Sequence, residues 1–130
     1  LAEQVLASSD FVSVGTNDLT QYTLAADRVL GTVANYQDPW HPAVLRLLAE
    51  VGAAGRKLGK PVGVCGEAAA DPKLAVVLAG LGITSLSMAP PALAEVRATL
   101  LQYTAEQAQD IAARVLTANS AAHARELFSA

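Results

Sequence analysis

A chain of 130 residues is long enough for one domain with a real core, and a net charge of −3 with no basic block argues against nucleic-acid binding. Its single cysteine cannot form an internal disulfide, which fits a reducing, cytoplasmic setting. No apolar run reaches the about 20 residues that span a bilayer, so no membrane insertion is expected, and the first residues carry no basic stretch of a secretory signal.

Leu1 to Ala7 has the pattern of the middle or end of an amphipathic helix with no N-cap before it, so the chain is expected to start inside an element. Ser8-Ser9-Asp10 make a turn, and Phe11 to Gly15 reads as a strand. Asp18 to Ala26 reads as a short helix with Asn17 or Asp18 as its N-cap. Arg28 to Trp40 is a long loop, the kind that is often functional in compact α/β units. His41-Pro42 opens a helix, with Pro in the first turn and Gly59 as the stop signal. Pro61 to Gly66 is a second strand. Asp71-Pro72 starts another helix, which stops around Gly80 to Gly82. Thr84 to Met88 is a third strand, ended by Pro90-Pro91. A helix is expected from about Ala92 to Gln102. Thr104 and Gln107 form a capping-box pattern for the next, to about Leu116, and Ser120 caps a last one through Phe128.

Strands near 11–15, 61–66 and 84–88 alternate with helices, so an α/β fold with parallel, right-handed crossovers is expected over the single domain 1–130. Two architectures fit: the last three βα units of a (β/α)8 TIM barrel with an Ala-rich helical tail at about 92–128, or a small open sheet. A partial barrel would leave open strand edges and an uncovered interior face, which favours self-association.

Two segments carry chemistry: Gly15-Thr16-Asn17-Asp18 and Cys65-Gly66-Glu67. Each follows an apolar run, as at the C-terminal edge of a buried parallel strand, where α/β folds build sites. Asp18 is a hard oxygen ligand suited to Mg2+, and Asn17 offers an amide donor to a phosphate or carboxylate. Both can equally do no more than cap the following helix. Cys65 is a candidate nucleophile, acid or metal ligand, or else a small buried thiol. Glu67 either orients a neighbour or is a solvated carboxylate. Arg28 can clamp a phosphate or pair with Asp27 or Glu50. His41 reads as a helix-start residue and His123 has no matching partner. Trp40 and Tyr36 either pack the loop or line a partner surface. No Walker or dinucleotide-binding glycine pattern occurs.

The run Phe11-Val12-Ser13-Val14-Gly15-Thr16-Asn17-Asp18-Leu19-Thr20-Gln21-Tyr22-Thr23-Leu24-Ala25-Ala26-Asp27-Arg28 closely resembles the signature of phosphoenolpyruvate-utilising enzymes, and Val64-Cys65-Gly66-Glu67 resembles their second motif. Tyr36-Gln37 followed by His41-Pro42-Ala43-Val44-Leu45 most resembles the phosphoenolpyruvate–protein phosphotransferases, enzyme I of the bacterial sugar phosphotransferase system. The resemblance runs from about Asp10 to Leu101. It implies a (β/α)8 barrel that binds phosphoenolpyruvate and Mg2+. It makes Asp18 a Mg2+ ligand and gives Asn17 and the Asp18 backbone contacts to substrate. It places Arg28 on the substrate phosphate and makes Cys65 the acid that turns enolpyruvate into pyruvate. It further implies a histidine phosphocarrier protein as partner, reached through an enzyme histidine outside this chain, and a homodimer in the full enzyme. Some of the family's acidic and basic ligands lie on strands that this chain lacks, so the isolated chain is expected to be inactive. A dikinase- or synthase-type relative and a non-catalytic assembly module remain as other readings.

Overall fold

The computed structural model describes residues 1–27, 29–33 and 36–130. Three strands, β1 (Val12–Gly15), β2 (Val62–Cys65) and β3 (Ser85–Ser87), form one parallel sheet in the order β1-β2-β3. The helices are α1 (Ala2–Ala7), α2 (Thr16–Leu24), α3 (Pro42–Leu58), α4 (Glu67–Ala70), α5 (Pro72–Leu81), α6 (Pro90–Leu100), α7 (Ala105–Val115) and α8 (Ala121–Ser129). The α/β class and parallel strands are as expected. Sequential order with parallel pairing is what successive strand–helix units produce.

The local signals explain most boundaries. His41 caps α3, its Nδ1 accepting from the Ala43 amide, with Pro42 in the first turn. Gly59 ends that helix at φ +63°, a left-handed position that glycine adopts without penalty. Asp71 caps α5 by accepting from the Lys73 and Leu74 amides. Thr104 and Gln107 form the reciprocal capping box of α7, and Ser120 caps α8. Lys60 completes α1, its ammonium donating to the Leu6, Ala7 and Ser9 carbonyls at 2.8, 2.9 and 2.5 Å.

Three expectations need correction. The second helix does not start at Asn17 or Asp18 but at Thr16, with Gly15 as N-cap and no side-chain cap bond. It also ends before Ala26, at Ala25, whose φ of +50° turns the chain out of the helix. Pro90 and Pro91 do more than terminate β3, since they form the first turn of α6, where a missing N–H costs nothing.

The third correction concerns the burial of β1, because the sheet's second face is open. Val62 and Val64 of β2 are fully buried beneath the helices, in a core shared with Val44, Leu45, Leu48, Leu74, Val77 and Leu78. The alternate positions are not covered. Ser13 stands opposite Gly63, which stands opposite Ser85, and a Cβ on Gly63 would lie 2.9 Å from the Ser85 Oγ and 3.6 Å from the Ser13 Oγ. The next row is Gly15, Cys65 and Ser87. β1 is therefore half-buried rather than buried, and the open face carries small and polar groups.

The largest helix–helix contact is α5 on α7, and Gly80 makes it possible. A Cβ there would collide with the Ala108 carbonyl and crowd the Ala112 methyl. Gly→Ala within a helix ordinarily gains about 1 kcal/mol, but here backbone must move. We expect Gly80→Ala to destabilise the chain by about 1–3 kcal/mol in urea unfolding. A stabilised variant would show that α7 is not seated on α5 as described.

Candidate functional site

The C-terminal ends of β1 and β2 are stitched together by side chains of the first motif. Gly15 is in register with Cys65. Immediately beyond, the Thr16 hydroxyl donates to the Cys65 carbonyl at 2.7 Å, and Thr16 is 1% exposed. The Asn17 Oδ1 accepts from the Glu67 amide at 3.1 Å. Both bonds satisfy backbone groups that the ladder can no longer reach, because each chain leaves the sheet there to enter a helix.

Gly66 lies between these two bonds at φ +100°. A Cβ at this position would stand 2.8 Å from both the Asn17 Oδ1 and the Thr16 Oγ1. The Cys-Gly-Glu order is thus explained by geometry: the middle residue must adopt a conformation costly to L-residues, beneath two side chains.

Asn17 is half-buried and commits its carbonyl oxygen to Glu67, so its amide NH2 remains as a donor. Asp18 is exposed in the first turn of α2, where the helix dipole favours a carboxylate. Its Oδ2 leans back over the strand end, 3.9 Å from where a Gly15 Cβ would stand. Cys65 is half-buried, its Sγ 3.7 Å from the Val14 carbonyl, to which the thiol donates weakly. Glu67 is exposed at the start of α4. Asn17, Asp18, Cys65 and Glu67 therefore share one edge of the sheet, as the sequence suggests. Arg28 lies outside the described residues.

Among the described residues no three of His, Cys, Asp and Glu cluster as a complete metal cage. The donor set does fit Mg2+ held by a single protein carboxylate with waters and substrate oxygens, because Asp18 is exposed and aimed at the strand end. His41 caps a helix through its Nδ1, and His123 sits at the start of α8 beside Asn119.

The structural roles of several residues here were not settled by the sequence. Thr16 read as part of a motif and not as a strap. Gln37 and Pro39, in the connection between α2 and α3, form a small cavity of about 60 Å3 with Asn17, Thr20 and Glu67. Gln37 closes the base of that connection through its side-chain amide, which donates to the Ala26 carbonyl. Trp40 is fully buried and packs the loop, its indole N–H donating to Asp71 Oδ2 at 2.8 Å, whereas Tyr36 is exposed.

Residues 1–105 match the model of the family described as PEP-utilising enzyme, PEP-binding domain. The chain belongs to this family. It is 55% identical over 124 residues to the phosphoenolpyruvate-protein phosphotransferase of Streptomyces coelicolor, which covers 95% of the chain and 22% of that protein. The protein of the same name from Cupriavidus necator is 44% identical over 87% of the chain and 19% of its own length. The multiphosphoryl transfer protein of Rhodobacter capsulatus is 42% identical over 98% of the chain and 15% of its own length. The resemblance carried by the two motifs is borne out, and the chain spans about a fifth of these relatives.

We expect Gly66→Ala to be among the most disruptive single-methyl changes in this family member. It combines a positive φ with a steric conflict at the Thr16 and Asn17 oxygens, and a cost of about 2–4 kcal/mol in equilibrium unfolding follows. Gly31→Ala, where nothing lies within 4 Å, serves as the control. Equal stability of the two variants would mean that the strand ends are not stitched.

Proposed function

We propose that this chain forms the last three βα units of a phosphoenolpyruvate-binding (β/α)8 barrel in an enzyme of the phosphoenolpyruvate–protein phosphotransferase type. In this reading the whole enzyme moves the phosphoryl group of phosphoenolpyruvate to an enzyme histidine outside this chain, then to a histidine phosphocarrier protein, and releases pyruvate. The observation that carries it is the gathering of an amide, a carboxylate and a thiol at the C-terminal edge of β1 and β2. The barrel is supported by unpaired outer edges on β1 and β3 among the described residues. An apolar groove of about 320 Å3 beside β3, lined by Ile83, Leu86, Met88, Leu93 and Val96, also supports it. The matching relatives' names favour the phosphotransferase over a dikinase, a synthase or an assembly module.

The chemistry follows from the groups present. Mg2+, held through Asp18, would supply positive charge at the phosphoryl oxygens. The Asn17 amide donates to a substrate oxygen, and its orientation is preset by the bond to Glu67. Arg28 is assigned to the substrate phosphate on its place in the motif alone. As the phosphoryl group leaves, the enolate carbon of pyruvate needs a proton, and the Cys65 thiol gives it up at Sγ. The small open-face row of Gly15, Cys65 and Ser87 leaves room for a three-carbon substrate against that sulfur. Setting, symmetry and route go with the same reading: a cytoplasmic homodimer serving sugar uptake, with the isolated chain inactive because its ligand set is incomplete.

The test separates two half-reactions in the whole gene product. Asp18→Ala should slow phosphoryl transfer from labelled phosphoenolpyruvate about 100-fold or more, by removing charge stabilisation. Cys65→Ala should leave that step within about tenfold while lowering pyruvate release by about 100-fold or more. Equal loss of phosphoryl transfer in the two variants would refute the division of roles.

A further inference from the structure

The C-terminal helix α8 lies beyond the segment matched by the family model, yet it is fastened to the connection that walls the candidate site. Arg125 of α8 pairs with Asp38 through two bonds, Nη1 to Oδ2 at 2.6 Å and Nη2 to Oδ1 at 2.9 Å. The fork geometry is the strong form of this pairing. Asp38 raises the Arg125 pKa from its ordinary value, first through this hydrogen bond, and partial burial opposes the effect.

The same Asp38 oxygen accepts from the Trp40 amide at 3.0 Å. The Arg125 guanidinium lies 5.4 Å from the centre of the Trp40 ring, and Phe128 of the same helix meets that ring edge-on at 6.0 Å. Trp40 is pinned on its other side to Asp71, the cap of α5. One turn of α8 thus grips the end of the α2–α3 connection from above while α5 holds it from below. Gln37 comes immediately before this grip and Pro39 lies inside it, and both line the 60 Å3 cavity with Asn17, Thr20 and Glu67.

We propose that Arg125 is a positioning residue: through Asp38 and Trp40 it holds the Gln37–Pro39 wall against the Asn17–Glu67 edge of the site. The functional meaning of that wall rests on the phosphoenolpyruvate reading above, but the mechanical claim does not. Hydrogen bonds link Arg125 to Asp38 and Asp38 to the Trp40 amide, and the adjoining Gln37 and Pro39 share the lining of one cavity with Asn17. No other charged side chain among the described residues pairs with Asp38.

Trp40 is the only tryptophan of the chain, so its fluorescence reads the grip directly. In Arg125→Ala, with helix content checked by circular dichroism, acrylamide quenching of Trp40 should rise threefold or more. Amide exchange at Glu67, whose N–H is held by Asn17, should speed up by a similar factor. Arg125→Lys should recover part of both, and Asp38→Asn should reproduce the Arg125→Ala values and add little when combined with it. In the whole gene product, Arg125→Ala should raise the KM for phosphoenolpyruvate threefold or more and leave kcat within twofold. Unchanged Trp40 quenching would overturn the grip. Faster quenching with unchanged Glu67 exchange would overturn its reach to the site, as would an unchanged KM in an active enzyme. If the gene product does not turn over phosphoenolpyruvate, the functional reading falls, while the quenching and exchange results still decide the positioning claim. Should Arg125→Ala fail to fold, Asp38→Asn and Arg125→Lys decide it by the same measurements.

Discussion

Everything at the site depends on two bonds between the ends of neighbouring strands, Thr16 to the Cys65 carbonyl and the Glu67 amide to Asn17. A parallel ladder cannot satisfy its terminal backbone groups once both chains turn away into helices. Some side chain has to do it, or water will. Here the work falls to the two residues that follow β1, so the first motif is the structural partner of the second. A pair of segments some 50 residues apart in sequence becomes one unit, and neither has its shape without the other.

This arrangement removes the capping role from Asn17 and Asp18. Helix capping and ligand binding were both open, and compatible, readings of these residues. The helix starts earlier than expected, at Thr16, so neither side chain is consumed by a cap. Among the described residues, Asn17 spends its oxygen across the strand gap and keeps its NH2, and Asp18 keeps its whole carboxylate. The Gly15 N-cap allows this, because a Ser or Thr at that position would bring a competing hydroxyl to the same first-turn amides.

The order of strands and helices was legible in the sequence because its punctuation is local: His41-Pro42, Gly59, Asp71-Pro72, Thr104 with Gln107, and Ser120 each act within one turn of their own position. The placement of Asn17, Asp18, Cys65 and Glu67 at one sheet edge was legible because these residues follow strand ends in short motifs. The links that hold the site were not. Arg125 and Asp38 stand 87 positions apart, and Trp40 and Asp71 31 apart, with nothing in either neighbourhood to announce the pairing. Nor could alternation in β1 show that Ser13 faces an open side. A Val-Ser-Val run reads as half-buried or buried according to what covers the second face, and that is a tertiary property.

The chain therefore separates what makes it fold from what would make it react. The apolar mass lies on one side of the sheet, in α3, α5 and α7, where close approach at Gly80 and the fully buried Leu74, Val76, Val77 and Leu78 exclude water. The opposite face and the C-terminal edge carry Ser, Gly, Cys, Asn and Asp, groups that bury little apolar area and contribute little to stability. Such a division lets that edge stay hydrated and adaptable without loosening the core. It also demands external supports for any part of the edge made of loop, since the sheet cannot supply them. Trp40 meets that demand on the core side by its bond to Asp71, and α8 meets it on the solvent side through Arg125 and Phe128. The last helix belongs with the site for this reason, although it touches neither Cys65 nor Asp18.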